Sequence, residues 1–412
     1  WQKHLGVHEL VLLDIDERKL SLFGGLCREL VHRAGDPFTI STTLNARTAL
    51  TGADHVVTTI RPGFEQGRAT DERICLRHGV LGQETTGAGG FSMAMRSIPA
   101  ILEYASLMKE VCPNAWMFNF TNPSGLVTQA LRDAGYERVI GICDGANAGQ
   151  MAVAAWAGVE PSRIRAEVFG LNHLSWCRSA SLEGDNLLPR ALIDPQFLQD
   201  WQAPFEPDLV RQERMHLNEY LYYYHYAEQA LAFIQAEPMT RGEEIVELNR
   251  LLVSQLEGIG VEREPERALR AFFGYEQRRG ATYMHYAHGN QPALKTGLAD
   301  DYDAEIPAQA GEGYAGVACS IIKALGSGEP IHTALNVPNR GAISGMADDD
   351  VVEVSCRVDE KGVHPLSIGE VPAPQLALMR AVKAYERLAV EAIRERAEAL
   401  AIRWIIQYAR AK

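Results

Sequence analysis

The chain opens in two alternating rhythms. Short apolar runs, Glu9-Leu-Val-Leu-Leu-Asp14, Asp54-His-Val-Val-Thr-Thr-Ile60, Ala115-Trp-Met-Phe-Asn119 and Arg138-Val-Ile-Gly-Ile-Cys143, have the length and β-branched content of buried strands. Between them lie stretches with apolar residues three and four apart, which predict helices over 18–33, 93–111, 123–134 and 147–158. Strands alternating with helices of this length imply parallel βαβ units covered on both faces. The first part of the chain therefore reads as α/β, a doubly wound parallel sheet.

Beyond residue 165 the pattern changes. Residues 206–235 read as one helix rich in tyrosine, and 241–256 as another. Glu353-Val-Ser-Cys-Arg-Val-Asp359 alternates like an antiparallel strand. Residues 374–412 read as one or two long helices rich in Ala, Arg and Glu, and 288–312 as a long loop. This predicts a first domain over 1–165 and an α+β domain over 166–412.

Composition narrows the function classes. Apolar content of 46% and charged content of 23% over 412 residues suit a globular chain of about two domains. A net charge of -13 argues against nucleic acid as a partner. No apolar run reaches membrane-spanning length, and no leader of the secretory kind is visible, so no membrane partner is expected. Seven thinly spread cysteines do not make a disulfide framework, which points to a reducing, cytoplasmic setting.

Five polar loops then carry the candidate chemistry, most of them directly after a strand-like run: 61–68, 82–90, 119–125, 141–145 and 170–176. In an open parallel sheet, loops leaving the carboxyl ends of strands meet in one crevice. Asp14 closes the first run, where an acid can accept hydrogen bonds from a nucleotide ribose; a surface acid explains it as well. No Gly-x-Gly-x-x-Gly precedes it. The chain opens at Trp1, where a first strand and its glycine-rich loop would be finishing, so that loop is expected to be missing.

Glu84 sits among glycines and threonines in Gly82-Gln-Glu-Thr-Thr-Gly-Ala-Gly-Gly90, a composition that leaves backbone donors open to a ligand. Asn122, before Pro123, is either a helix cap or a ligand contact. Cys143 and His173 offer a thiolate and an imidazole suited to a transition metal, although spacing alone favours an ordinary buried thiol and a structural histidine. Asp144 is a general acid or a turn residue. On a helix, Tyr220, Tyr223 and Tyr224 share a face, the usual sign of packing. A tyrosine base needs a metal or cation to lower its pKa of about 10. Arg241, Arg278 and Arg279 are candidate neighbours or anion-binding groups.

Taken in order, Arg68 with Asp71-Glu72-Arg73, Gly82-Gln-Glu-Thr-Thr-Gly87, Asn119-Phe-Thr-Asn-Pro123, Gly141-Ile-Cys-Asp144, Gly170-Leu-Asn-His173 and Asn218-Glu-Tyr-Leu-Tyr-Tyr-Tyr224 resemble glycoside hydrolase family 4, the NAD- and metal-dependent glycosidases. The resemblance runs from about Glu9 to about Arg396. It implies a Rossmann-like sheet followed by an α+β catalytic and oligomerisation domain, similar to lactate and malate dehydrogenases.

It also implies a mechanism: NAD takes hydride from C3 of the sugar, a tyrosine removes the acidified C2 proton, and the C1 leaving group departs by elimination. Water then adds and the hydride returns. Carried over by motif, Cys143 and His173 would be ligands to a divalent metal, manganese foremost, and Tyr220 the base supported by Glu84. Asp144 would stand at a general-acid position. Arg68, Asn122 and Arg241 would contact substrate, and Asp14, Thr59 and Arg61 the cofactor. The tyrosine run and the segment from Val351 resemble 6-phospho-β-glucosidases, while Asp144 leaves the anomer open. A 6-phospho-α-glucosidase, an α-galacturonidase or sulfoglycosidase, and an NAD-dependent 2-hydroxy-acid dehydrogenase remain alternatives. A homodimer or homotetramer is implied.

Overall fold

A computed structural model describes residues 5–287, 301–307 and 313–396 of the chain. They pack as two compact units, each discontinuous in sequence. One comprises 1–54, 106–115 and 237–311, and the other 55–105, 116–236 and 312–412.

In the first unit β1 (Glu9–Leu13) pairs in parallel with β2 (Thr39–Thr43). The connection is the helix Glu17–Arg33, begun where the Asp16 side chain accepts from the Lys19 amide. Its core forms where Leu26 meets the apolar stripe Ile245, Leu248, Leu252, Leu256 and Ile259 of the helix Arg241–Ile259, together with Leu269 and Tyr275. That stripe repeats at three and four residues, as a helix buried along one face requires. Thr240 and Glu243 close a capping box at its start. Most of the loop expected over 288–312 lies outside the described residues.

The second unit is built on a six-stranded sheet. β3 (His55–Thr58), β4 (Trp116–Asn119) and β5 (Val139–Gly141) run parallel, linked by the helices Phe64–Arg77, Gly87–Val111 and Ser124–Asp133. The sheet is mixed rather than wholly parallel. β10 (Ile331–Pro338) pairs antiparallel with β5 at Asn336↔Gly141, and β11 (Val351–Asp359) and β12 (Gly362–Pro365) continue it. The late strands cover an edge whose N–H and C=O groups would otherwise stand unpaired. A second, antiparallel sheet joins β6 (Ile164–Leu171), β7 (Leu174–Leu182), β8 (Asp185–Asn186) and β9 (His216–Leu217). The architecture is α/β and Rossmann-like with an α+β addition.

The single helix expected over 206–235 is broken. Pro207 starts a short helix that ends at Arg214 in the left-handed region (φ 56°), and β9 follows. Asn218 then caps a 3-10 turn over Glu219–Leu221, ahead of the helices Tyr222–His225 and Ala227–Ala236. The long C-terminal helix runs Ala373–Glu395, and residues from 397 on lie outside the description. Among the described residues, no helix is long and apolar enough to cross a membrane.

Candidate active site

The second unit gathers most of the candidates at the carboxyl ends of β3, β4 and β5 and at the turn between β6 and β7. Thr59 stands exposed just past β3, and Arg61 follows it. On the helix Phe64–Arg77, Arg68 and Glu72 are one turn apart and buried together, Nε to Oε1 at 2.8 Å. Arg68 also reaches the Glu84 carboxylate at 3.2 Å, and Arg61 binds its other oxygen. Arg61 further pairs with Glu65 at 3.2 Å.

Burial alone would raise the Glu84 pKa, but Arg68 and Arg61 outweigh it and hold the carboxyl at about 2. Burial likewise works against the Arg68 charge, and Glu84 and Glu72 more than restore it. Both arginines thus serve as counter-ions to Glu84.

The glycine-rich stretch after Glu84 is not an open loop. Its glycines enter the first turn of the helix Gly87–Val111, and a Cβ on Gly89 would lie 2.4 Å from the Gln83 carbonyl oxygen. A Cβ on Gly90 would meet the Thr85 backbone at 2.7 Å. The glycines therefore let the helix sit directly on Gln83 and Thr85.

That packing fixes a proton. Gln83 Oε1 accepts from the Thr85 and Thr86 amides at 2.7 and 2.9 Å, so it is the acceptor end of the side chain. It also accepts from the Thr85 hydroxyl at 2.6 Å, which uses the only proton Thr85 has. The Thr85 oxygen must then accept from His173 Nδ1–H, and Nε2 is left with the lone pair. Burial, partly opposed by the attraction of Glu84, pushes the His173 pKa down to about 3. The imidazole is neutral at ordinary pH, the form that ligates a metal.

His173 occupies a two-residue turn between β6 and β7 with φ 62°. The Tyr220 ring lies flat on its imidazole, with centroids 3.5 Å apart and planes 4° apart. Asn218 sets that ring's segment: its Oδ1 accepts from the Tyr220 amide at 3.0 Å, and its Nδ2 donates to Ser175 Oγ at 3.1 Å and to the Gly145 carbonyl at 3.3 Å. A Cβ on Gly145 would stand 3.8 Å from both Cys143 Sγ and Tyr220 Cε2. Cys143, Tyr220 and His173 thus converge, with Asp144 opening the 3-10 turn beside them.

The thiol and the neutral imidazole, both buried, fit a borderline transition metal. Among the described residues no three His, Cys, Asp or Glu side chains form an ion cage. An ion held by Cys143 and His173 would keep positions open to substrate oxygens.

The remaining candidates make local contacts. Pro123, not Asn122, occupies the N-cap of Ser124–Asp133, and no side chain caps that helix. The buried organiser of that loop is Asn119, which accepts from the Thr58 hydroxyl and the Thr121 amide and donates to Thr128 Oγ1. In the first unit, exposed Asp14 accepts from the Asp16 amide at 2.9 Å. Arg241 pairs with Glu244 at 2.6 Å, donates to the Arg279 carbonyl and lies over the Tyr283 ring. The sequence reading missed Gln83, Thr85, Ser175 and Asn218. All four stood inside stretches already singled out, but their hydrogen-bond partners could not be read from the chain.

Comparison with known proteins gives the family. The model of the family 4 glycosyl hydrolases matches residues 1–159, and that of the family 4 glycosyl hydrolase C-terminal domain matches 168–407. A Bacillus subtilis protein described as "Probable 6-phospho-beta-glucosidase" is 32% identical over 398 residues, covering 94% of this chain and 82% of the relative. A phospho-alpha-glucosidase of Clostridium acetobutylicum is 28% identical over 371 residues, covering 86% and 76%. The 6-phospho-beta-glucosidase of Thermotoga maritima, solved with manganese, NAD+ and glucose-6-phosphate, superposes with a TM-score of 0.79 at 28% identity, covering 99% of this chain and 89% of that one. The chain belongs to family 4 of the glycosyl hydrolases and is a glycoside hydrolase.

Proposed function

We propose that this enzyme cleaves 6-phosphoglucosides, the β-anomer foremost, with NAD and a divalent metal such as manganese. The observation that carries this reading is the Tyr220 ring stacked on His173, with Cys143 Sγ and Tyr220 Cε2 each 3.8 Å from where a Gly145 Cβ would stand. A tyrosine beside a metal-ligand pair suits deprotonation of a carbon acid and has no use in ordinary two-carboxylate hydrolysis. The relative solved with manganese, NAD+ and glucose-6-phosphate supports the cofactors and the phosphate. Seven thinly spread cysteines make no disulfide framework in the sequence, and in this reading the enzyme works in the cytoplasm.

When bound, NAD supplies a reversible hydride acceptor and the metal polarises the sugar oxygens. In this reading the chain's residues do the rest. Cys143 and the lone pair of His173 Nε2 hold the ion. Tyr220 takes the proton from C2, and Asp144 gives one to the leaving group. Arg68 and Arg61 fix Glu84, whose negative charge keeps the pocket attractive to the metal. Arg241 and Asn122 contact the sugar phosphate and hydroxyls, and Asp14 and Thr59 the cofactor.

The test is release of nitrophenol from paired α- and β-nitrophenyl 6-phosphoglucosides, with NAD and Mn(II) omitted one at a time. Cleavage of the β-substrate that needs both additions is expected. Cleavage without either, or net NADH formation from a hydroxy acid in place of glycoside cleavage, would overturn the reading.

A further inference from the structure

A carboxylate that no step of this chemistry uses lies beneath the site. Glu353, on β11, is wholly buried. Its Oε1 accepts from Asn172 Nδ2 at 3.3 Å and from Asn336 Nδ2 at 3.1 Å, and its Oε2 accepts from Ser175 Oγ at 2.7 Å. A buried acid is costly unless its oxygens are met by donors, so these contacts are strongly selected in the folded state.

Two of the donors flank His173 in its turn, and the third pairs with the strand that leads to Cys143. Asn172 precedes His173 in the turn, and Ser175 follows two residues after it. Asn172 Oδ1 also accepts from the Gly125 amide at 3.3 Å, at the start of the helix after Asn122 and Pro123. Asn336 pairs with Gly141, two residues before Cys143. Ser175 Oγ passes the connection to Asn218, which holds the Gly145 carbonyl and the Tyr220 amide. His173 is in left-handed backbone (φ 62°), a conformation a side-chain-bearing residue keeps only when its neighbours are pinned.

We propose that Glu353 is a positioning residue that registers the His173 turn, the Cys143 strand and the Tyr220 segment against one another. It acts through Asn172, Ser175, Asn218 and Asn336. Two branches follow. The Asn172 branch sets the His173 imidazole, and the Ser175–Asn218 branch sets Tyr220. The inference rests on the metal and base roles given above, and its test separates the two.

Mn(II) alone is titrated against the full chain, followed by the electron paramagnetic resonance of the free ion, in wild type, Glu353→Gln, Asn218→Ala and His173→Ala. Backbone hydrogen exchange over 171–176 and 217–222 and kcat are measured on the same proteins at matched folded fraction. Glutamine turns one acceptor into a donor, so either an asparagine amide faces a second donor or the Ser175 hydroxyl must accept where it now donates. Glu353→Gln should weaken Mn(II) by about 10- to 100-fold, as loss of a ligand's supporting contacts does. It should also speed exchange in both segments and lower kcat more than KM moves.

Asn218→Ala should speed exchange only over 217–222 and lower kcat, with Mn(II) affinity falling less than in Glu353→Gln. If Glu353→Gln fails to fold, Asn172→Ala removes one donor from the same carboxylate and should weaken Mn(II) with faster exchange over 171–176. Wild-type Mn(II) affinity and exchange in Glu353→Gln, whatever its melting temperature, would overturn the proposal. Wild-type Mn(II) binding by His173→Ala would sink the metal role instead, and the exchange rates alone then decide for or against Glu353.

Discussion

Tyr220 and His173 are parallel rings in van der Waals contact, 3.5 Å between centroids. The contact joins a 3-10 turn capped by Asn218 to a hairpin turn with left-handed backbone, so its geometry is set from both sides. If Tyr220 is the base, its hydroxyl is needed for turnover, while its ring is needed for packing. Tyr220→Phe should lower kcat by about 100- to 10,000-fold, the span of a general base. Mn(II) affinity and melting temperature should stay at wild-type values. Tyr220→Ala should in addition lose roughly 1 kcal/mol of stacking, seen in thermal unfolding. Wild-type turnover in the Phe variant would remove Tyr220 from the chemistry.

The Thr85 oxygen accepts the Nδ1 proton of His173 because its own proton goes to Gln83. Thr85→Val keeps the shape and deletes that acceptor. The imidazole then loses its tautomer preference, and Mn(II) affinity should fall by about 10- to 100-fold. Ring nitrogen chemical shifts of labelled His173 should show Nδ1–H in the wild type and a mixture in the variant. An Nε2–H imidazole in the wild type would contradict the assignment.

Glu84 gives a dependence on pH. Its folded pKa of about 2 lies below its ordinary 4.5, so the ion pairs with Arg68 and Arg61 stabilise the folded state in full above pH 4.5. The contribution, on the order of 3 kcal/mol, is lost as pH falls toward 2. Glu84→Gln should therefore be less stable than wild type at neutral pH, and the two should converge in acid. Denaturant unfolding at several pH values checks this. A gap that widens below pH 4.5 would carry the wrong sign.

Gly89 has no space for a side chain, since its Cβ would lie 2.4 Å from the Gln83 carbonyl. Gly89→Ala should displace the Gln83–Thr85 loop, costing about 1–3 kcal/mol as overpacking does. Mn(II) affinity should fall with it, because the loop holds the His173 proton. A variant with wild-type melting and metal affinity would show that the loop tolerates the push.

Much of this was readable in the chain itself. The strands β1, β3, β4 and β5 stand where apolar runs predicted them, because buried parallel strands carry a strong local signal. The ordered motifs placed Cys143, His173 and Tyr220 in one site although spacing favoured bland roles. The tyrosine segment was misread as a long helix because apolar periodicity hid the breaks at Arg214 and Asn218. The glycines at 87–90 were read as part of a loop, yet they open a helix, because loops and close helix packing call for the same residue. Glu353 left no local trace. An acid in an alternating strand looks like a surface residue, and its donors Asn172 and Ser175 come from a distant turn.

The central claim is that the glycosidic bond breaks after a proton leaves C2 of the sugar. Hydrolysis of a 6-phosphoglucoside in deuterium oxide, with NAD and Mn(II) present, tests it directly through the proton spectrum of the glucose 6-phosphate formed. A C2 proton taken by Tyr220 exchanges with solvent, so the product should carry deuterium at C2, and Tyr220→Phe should form almost none of it. Full turnover with C2 still protonated would mean that the bond is cleaved without the Tyr220 step.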